Sequence, residues 1–424
     1  MSQQCKTVLD NGMTVISRTM PDVRSVSLGL WFNVGSRDER PDQAGLTHFM
    51  EHMMFKGTPT KGPLDISMHF DRLGAELNAF TSKEYTCYYA RFVDDKLEDA
   101  LSVLAEMVIE SNFSQDAIDT EREVVIEEIA RSEDTPDDYV YELYSQSNLP
   151  NHPCGLPVLG TRDRVGSYRH ADCADFHAEH YHAGNLTLAA AGNVDHDQLV
   201  TLAKRYFASM KPGKKEHRKL LQPQFSSGLF SQKRDIEQAH IVYGVPWLPL
   251  GNERRYIATV LTTILGGSMS SRLFRRYAKS AVLYIRFMRC KLAIRVLGSG
   301  VFMLAHDLPT LRKLCGLSVL SWTRLLKTMF LGMSFLAILT LSADSSFLAW
   351  SRPILIWFDW ENARLSVWSK LPPNSKRKDT GPLLSSRCSI WLKSSSRQSR
   401  LSLLYRHIVK KSFRILFLAN SLIR

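Results

Sequence analysis

The sequence has no closely spaced cysteine pair and no N-terminal stretch of the kind that directs secretion. Its seven cysteines stand far apart, without a C-x-x-C pair, which argues against a disulfide framework and against a cysteine zinc knuckle. The first 15 residues, MSQQCKTVLDNGMTV, lack a basic segment followed by an apolar one, so they do not predict a signal peptide. We therefore expect a reduced, cytoplasmic protein.

Acidic residues are scarce in the last third of the chain, and this shortage accounts for the charge of the whole. The formal net charge is +12, from 54 Lys and Arg against 42 Asp and Glu. Residues 277–424 hold 24 basic and 5 acidic residues, a net +19, whereas residues 1–276 hold 30 and 37, a net −7. The basic character therefore belongs to the tail alone.

Two classes of partner are not expected from this composition. The tail does not interleave aromatic and basic residues in a recognisable nucleic-acid motif, so no nucleic acid is predicted as a partner. An apolar run at residues 328–343 has 16 residues, fewer than the roughly 20 that a membrane-spanning helix needs, so no membrane association is expected. Binding of the basic tail to DNA or anionic lipid is the alternative.

The first 210 residues carry the patterns of an α+β domain. Asn11-Gly12 lies between two apolar stretches and indicates a β-hairpin, and with the apolar stretch SVSLGLWFNVG it predicts the start of a β-meander. Helical periodicity follows in DDKLEDALSVLAEMVIES and in SQDAIDTEREVVIEEIARSE, which has Ser114 as its predicted N-cap. NLTLAAAGNVD is typical of a short buried strand.

Composition and pattern divide the chain into four parts. Residues 1–210 are the predicted N-terminal domain, and residues 211–228, rich in Lys, Pro and Gln, are the predicted linker. Residues 229–276 start a second domain, with a strand at QAHIVYGVPWL and a helix at NERRYIATVLTTILGG. Residues 277–424 are an atypical basic tail with little regular periodicity.

The stretch HFMEH, His48 to His52, has the pattern of a metal site. It lies in a segment with helical spacing of apolar residues, Asp42 as a possible N-cap and Gly57 as a stop signal. On a helix the two histidines share one face and can hold one ion between their rings, and Glu51 projects close to that face. A catalytic zinc site needs three protein ligands and an open position. One ligand must therefore come from elsewhere, and a helix with surface histidines is the alternative.

The acidic stretch DTEREVVIEEIARSE offers the missing ligand. It carries Glu121, Glu123, Glu127 and Glu128. Glu121 and Glu128 are seven residues apart and share a helix face, and Val124, Val125 and Ile129 are expected to pack the helix into the core. A carboxylate among apolar neighbours requires a compensating partner, and a metal supplies one. For Glu121, a solvated acidic helix face is the alternative.

Taken together, GLTHFMEHMMFKGT and TEREVVIEEI resemble the pitrilysin-type zinc peptidases, whose inverted zinc motif is H-x-x-E-H. The resemblance is strongest to bacterial relatives of the mitochondrial processing peptidase beta subunit. It implies that His48, His52 and Glu128 are the ligands of one Zn²⁺, that Glu51 is the general base, and that Glu121 is a catalytic-site carboxylate behind the ligands.

The same resemblance implies a fold, a substrate and an assembly. LNAFTSKEYTCYY is similar to the family's N-A-x-T edge strand, in which Asn78 would help to hold an extended peptide by strand addition; a simple turn residue is the alternative for Asn78. The implied α+β fold has two related halves, each an antiparallel sheet packed with helices. The implied function is a zinc-dependent metalloendopeptidase that cleaves peptides or unfolded protein segments with metal-activated water. A homodimer, or a heterodimer with a related subunit, is the implied assembly.

A second group of histidines has the spacing of metal ligands but lacks a complete set of them. FHAEHYHAG places His177 and His180 at i, i+3, with His182 two residues further on. No third ligand of the right type is tied to them, and the resemblance implies that this stretch is a packing element on a helix.

After SRLF the sequence departs from the family pattern, which continues with V-R-E-K-R-G-L-x-Y-S and then G-x-F-x-x-Y-A-G-T. The residues Tyr277 to Val282 can be encoded by the codons TAC GCG AAA AGC GCG GTT. When the same bases are translated from the third base onward, they encode REKRG. Val301 to Asp307 can be written to give FYAGTR in the same shifted frame. We therefore predict that residues 277–424 are an out-of-frame translation that follows the loss of one base near codon 277. Against this, 148 out-of-frame codons would usually contain a stop.

This departure leaves an alternative function open. The family's substrate-gripping arginine and tyrosine from that second-domain motif have no matching position here. A non-catalytic partner subunit, or an inactive pseudoenzyme, is therefore the alternative to an active peptidase.

Overall fold

The structure is a computed structural model that describes residues 4–214, 224–226, 230–236, 238–249, 251–268, 270–271, 275, 284–289, 298–306, 354–359, 364–369 and 388–391. The chain forms two compact units, Met1–Ser226 and Ser227–Arg424. The predicted linker spans this division, and its bounds stay a prediction. The apolar run at residues 328–343 lies outside the described residues, as does most of the predicted tail. Within the described ranges, no helix combines the length and the apolar character that a membrane crossing requires.

A six-stranded sheet forms the centre of the first unit. Its strands are β1 (Gln4–Val8), β2 (Thr14–Thr19), β3 (Ser25–Phe32), β4 (Glu76–Thr81), β5 (Thr86–Val93) and β6 (Leu186–Gly192). Their spatial order is β1-β2-β6-β3-β5-β4. Neighbouring strands are antiparallel except β2 and β6, which are parallel.

The predicted hairpin is confirmed, but the predicted β-meander is wrong. β1 and β2 pair through a turn in which Gly12 has φ 96°, a left-handed conformation that favours glycine. β2 does not pair with β3, because β6 lies between them. The buried Leu186, Leu188 and Ala190 of β6 complete the core face there, and a pairing so distant in sequence leaves no short-range turn signal.

The described part of the first unit also contains eight helices: α1 (Leu46–Met53), α2 (Pro63–Arg72), α3 (Leu97–Ile109), α4 (Gln115–Asp134), α5 (Pro136–Asn148), α6 (Arg162–Ser167), α7 (His170–His180) and α8 (His196–Tyr206). Helix α3 packs on β3 and β5, α8 on β2, and α1 on β4 and α4. Strand β3 alternates accordingly, with Val26, Leu28, Leu30 and Phe32 buried and Trp31 exposed. One face of the sheet therefore builds the core.

Helix α1 begins later than the sequence predicts. Its N-cap is Gly45, with φ 97°, and not Asp42, which lies in the preceding 3-10 turn. The helix buries the apolar positions i, i+3, i+4 and i+7, namely Leu46, Phe49, Met50 and Met53. It ends at Met53, and Gly57 lies in the turn beyond it with φ 118°.

Helix α4 confirms one predicted cap and corrects one predicted core position. Ser114 is its N-cap, and the serine hydroxyl accepts a hydrogen bond from the Ala117 N–H at 3.3 Å. Val125 and Ile129 are buried as predicted, but Val124 is 46% exposed. The buried face runs from position 118 through 121 to 125 and 129, and a helical period of 3.6 residues places 124 beside that face and outside it.

The described part of the second unit contains one helix and two small antiparallel sheets. Strands β7 (Ala239–Trp247), β8 (Tyr284–Arg289) and β9 (Gly298–His306) form a sheet in the order β7-β9-β8, and α9 spans Arg255–Gly266. Strands β10 (Ile354–Asp359), β11 (Arg364–Ser369) and β12 (Cys388–Trp391) form the other. The predicted α+β class is confirmed, as are the strand and the helix predicted between residues 229 and 276.

Candidate metal centre

The three predicted metal ligands converge at the contact between α1 and α4. The rings of His48 and His52 have their centroids 4.7 Å apart. Glu128 Oε2 lies 3.7 Å from Nε2 of His48 and 3.6 Å from Nε2 of His52. One ligand atom from each of these residues lies within 4.8 Å of the other two. The i, i+4 spacing on α1 and the packing of α4 against it produce this cluster.

The donor set and its protonation fit a zinc ion. Burial, together with the nearby His52 ring, lowers the pKa of His48 to about 3, so its imidazole is neutral at ordinary pH and offers a lone pair. Two histidine nitrogens and one carboxylate oxygen are a ligand set of catalytic zinc sites. Atoms bound tetrahedrally to zinc lie roughly 3.3 Å apart, given bond lengths of about 2.0–2.2 Å. The spacings of 3.6 and 3.7 Å require only small movements to reach that value.

Glu121 holds His52 from behind. Its Oε2 lies 3.0 Å from Nδ1 of His52, and its Oε1 contacts the ammonium group of Lys56. Although burial by itself raises the pKa of Glu121, the hydrogen bonds from His52 and Lys56 outweigh it and hold that pKa below its usual range. A carboxylate that accepts from Nδ1–H directs Nε2 toward the metal position. The buried carboxylate, 3% exposed, does not lie on a solvated acidic face.

Glu51, the predicted base, lies beside the cluster. Burial raises the pKa of its carboxyl above the usual range, and a hydrogen bond from Thr81 opposes that rise. The Thr81 hydroxyl donates to Glu51 Oε2 at 2.5 Å. A carboxyl with a raised pKa is better matched to proton transfer near neutral pH than an ordinary one.

A cavity of about 210 Å³ opens next to these groups. It is lined by Glu51, His52, Phe55, Lys56, Asn78 and Ala79. Strand β4 is at the edge of its sheet, so it can accept a further strand. Asn78 lies within β4 and is exposed, which makes the turn-residue alternative wrong.

Two contacts of this site were not predicted from the sequence. Lys56 lies four residues after His52 but beyond the end of α1 at Met53, so helical spacing alone does not place it beside Glu121. Thr81 lies two residues after Ala79 in β4, so the strand prediction for this stretch already places both side chains on one face. The pairing of Thr81 with Glu51, 30 residues away, depends on how β4 packs on α1.

The second histidine group packs as predicted. Nε2 of His177 hydrogen-bonds the carbonyl oxygen of Val108 at 2.8 Å, and its ring stacks on Tyr181 at 5.1 Å with an interplanar angle of 19°. Among the described residues, His48, His52 and Glu128 form the one group of His, Cys, Asp and Glu side chains that is placed to hold a metal ion. His177 therefore joins α7 to α3 and is no ligand of such a cluster.

Two family models match the chain in succession. The insulinase model, peptidase family M16, matches residues 14–162, and the peptidase M16 inactive domain model matches residues 168–299. The chain belongs to peptidase family M16. The M16 match includes the HFMEH motif and the acidic stretch of α4, and the second model begins at the end of α6. The narrower resemblance to the processing peptidase beta subunit stays a prediction.

Similar M16 proteins carry the name of zinc proteases. The "uncharacterized zinc protease YmxG" of Bacillus subtilis is 41% identical over 265 residues, 62% of this chain and 64% of the relative. A protein of Mycobacterium leprae with the same description is 40% identical over 278 residues, 64% of this chain and 62% of the relative. The chain thus matches less than two thirds of the length of these relatives.

Solved structures show the same fold at low sequence identity. A protease from Helicobacter pylori has a TM-score of 0.70 at 20% identity, and covers 81% of this chain and 84% of its own. A peptidase M16 inactive domain from Pseudomonas fluorescens has a TM-score of 0.72 at 19% identity, with coverage of 82% and 84%. At these identities the likeness establishes the M16 fold alone.

Proposed function

We propose that this chain is a zinc-dependent metalloendopeptidase that cleaves extended peptides or unfolded protein segments. The observation that carries the proposal is the convergence of His48, His52 and Glu128 with Glu51 beside them. Two M16 models and relatives named zinc proteases support the same reaction class. The proposed cofactor is one Zn²⁺ on those three residues.

The residues around the ion divide the work of peptide hydrolysis. When bound, zinc supplies a Lewis acid that makes water more acidic and polarises a carbonyl group. Glu51 takes the proton from the attacking water and delivers it to the leaving amine. Thr81 occupies Oε2 of Glu51, which leaves Oε1 for the proton. Glu121 keeps His52 in the tautomer whose Nε2 is unprotonated.

The edge strand suggests how the substrate is held. An extended peptide that pairs with β4 would lie along the cavity that Asn78 and Ala79 line together with Glu51. The Oδ1 of the exposed Asn78 accepts from the Ala79 N–H at 2.8 Å, so the Asn78 NH2 group is the part of the amide that would donate to such a peptide. We propose that binding is mainly through the peptide backbone, and that the assembly is a homodimer or a heterodimer with a related subunit.

The test is the variant Glu51→Gln, which keeps the size of the side chain and removes its basicity. We expect cleavage of a labelled unfolded protein to fall by about 100-fold or more, while the zinc content stays near one per chain. Glu123→Gln, an exposed glutamate on α4, is the matched control and should change neither. Retained cleavage in Glu51→Gln would contradict the base assignment, and a wild-type protein without zinc would contradict the metal site.

A non-catalytic partner subunit is the second candidate. The absence of the family's arginine and tyrosine motif after SRLF supports it, because the residues that grip the substrate in the family would then be missing. Wild-type protein that binds zinc at full stoichiometry and cleaves no peptide would favour this role.

A further inference from the structure

The first turn of α1 is capped by a residue that lies outside the helix. The N-cap, Gly45, has no side chain to accept hydrogen bonds from the first turn. Glu39 supplies the acceptors, because its Oε2 accepts from the Gly45 N–H at 2.9 Å and its Oε1 accepts from the Thr47 N–H at 2.8 Å. The Glu39 side chain is buried. The Glu39 side chain thus takes the place of an N-cap side chain for α1.

Two further contacts hold the same end of the helix. The Tyr168 hydroxyl donates to the carbonyl oxygen of Ala44 at 2.8 Å. The backbone of the loop before α6 lies directly on Gly45: a Cβ added there would be 2.6 Å from the Leu159 oxygen and 2.7 Å from Gly160 Cα. The first turn of α1 therefore has little room to shift as long as its cap is in place.

His48 depends on this turn more than His52 does. His48 is the third residue of α1. Among the described residues its buried Nδ1 has no hydrogen-bond partner, whereas Nδ1 of His52 is held by Glu121. Metal-binding histidines usually have their second nitrogen fixed by a partner. For His48 the backbone of the first turn must provide that orientation.

We infer that Glu39 is a positioning residue for zinc: by capping α1 through Gly45 and Thr47, it fixes the direction in which His48 presents Nε2. The inference rests on the proposed function, since it requires zinc at this cluster. Glu39 acts through the helix backbone and touches neither the ion nor the substrate. Its loss should therefore weaken zinc binding through one ligand, His48, and leave His52 and Glu128 in place.

The test compares zinc affinity in Glu39→Ala, Glu39→Gln and wild-type protein, by competition with a chromophoric chelator. We expect Glu39→Ala to bind zinc about 10- to 100-fold more weakly, the usual effect of removing support behind a metal ligand. Glu39→Gln keeps one acceptor oxygen and should lose less. Asp195→Ala is the matched control: it removes the carboxylate that caps α8 through the Gln198 N–H at 2.8 Å, and should lower stability without changing zinc affinity.

The outcomes separate this inference from the proposed function. A wild-type protein that binds no zinc overturns both. If the wild-type protein binds zinc, and the folded Glu39 variants bind it as tightly as Asp195→Ala does, the role of Glu39 alone is overturned. If Glu39→Ala does not fold, the same criterion applies to Glu39→Gln. The visible absorption of the Co²⁺-loaded protein adds a second readout: its bands should change in the Glu39 variants, because His48 is less well oriented toward the ion, and should stay unchanged in Asp195→Ala.

Discussion

Replacing Lys56 by methionine tests the chain of contacts that supports His52. Lys56 contacts Glu121, and Glu121 holds Nδ1 of His52. The methionine keeps the length of the side chain but removes its charge, so the buried Glu121 carboxylate loses one of its two partners. We expect a less stable protein and a less well oriented His52.

The expected size follows from the exposure of the two partners. A hydrogen bond to a charged group contributes about 1.5–3 kcal/mol, and solvent screening reduces the value for an exposed pair. Glu121 has 3% of its side chain exposed and Lys56 has 30%, which favours the lower end, about 1.5 kcal/mol. Weaker support behind a ligand should lower zinc affinity by about 10-fold.

The assay is urea unfolding of the metal-free protein, together with chelator competition for zinc. Lys61→Met is the matched control, because Lys61 has 28% of its side chain exposed and contacts Glu106 away from the metal ligands. It should lose stability to a similar degree and keep its zinc affinity. In a Glu121→Gln background the buried carboxylate that Lys56 contacts is absent, so Lys56→Met should then lower the free energy of unfolding only slightly. An equal cost in both backgrounds would refute the coupling between Lys56 and Glu121.

Three further predictions concern pH, packing and the reading frame. Burial raises the pKa of Glu39 from an ordinary 4.5 to about 7, although the hydrogen bonds from Gly45 and Thr47 and the nearby charge of Lys83 lower it. The folded state therefore binds this proton more tightly than the unfolded state does. The contribution of Glu39 to stability is full below pH 4.5 and falls by about 3 kcal/mol as the pH rises to 7. The free energy of unfolding of wild-type minus Glu39→Gln protein, followed from pH 4.5 to 7 by urea titration, should fall accordingly, and a flat difference would contradict the shift. Gly160→Ala should destabilise the protein by at least about 1–3 kcal/mol, because Gly160 has φ 77° and a Cβ would lie 2.2 Å from the Ala44 oxygen. Gly166→Ala is the control, since its Cβ would meet only the Ile126 side chain at 3.9 Å. Equal thermal unfolding midpoints of the two variants would refute the argument. Resequencing codons 265–315 should reveal a missing base near codon 277, and an unchanged frame would show that the basic tail is genuine.

The convergence of His48, His52 and Glu128 could be predicted from the sequence because the spacing of the two histidines is local. His48 and His52 lie one helical turn apart, so any helix through HFMEH brings them together. Glu128 required more, since its choice among four glutamates rested on the resemblance to the zinc peptidases. The structure brings Glu128 to 3.6–3.7 Å from both histidines because Val125 and Ile129 pack α4 against the core.

What the sequence could not predict depends on contacts between distant segments. The position of β6 between β2 and β3 pairs residues that are 154 to 173 positions apart in the chain, and no local signal indicates such a pairing. Glu39 and Thr81 reach the site from a loop and from an edge strand, and their side chains alone do not indicate a partner. The exposed Val124 shows the limit of apolar patterning: α4 buries one narrow face, so only one of the adjacent residues Val124 and Val125 is buried.

The shortness of α1 explains why so many contacts surround it. An isolated helix of fewer than about 12–15 residues is marginal in water, and α1 has only eight. Its geometry must therefore come from tertiary contacts. Besides its buried apolar face, polar contacts lie at both ends: Glu39 and Tyr168 hold the start, and Glu121 with Lys56 holds the end. The two histidines lie between these supports, one turn apart. Each of the two histidines is thus oriented by a different buried carboxyl group, His48 through the backbone and His52 through its ring, so the effects of Glu39 and Glu121 can be separated by mutation.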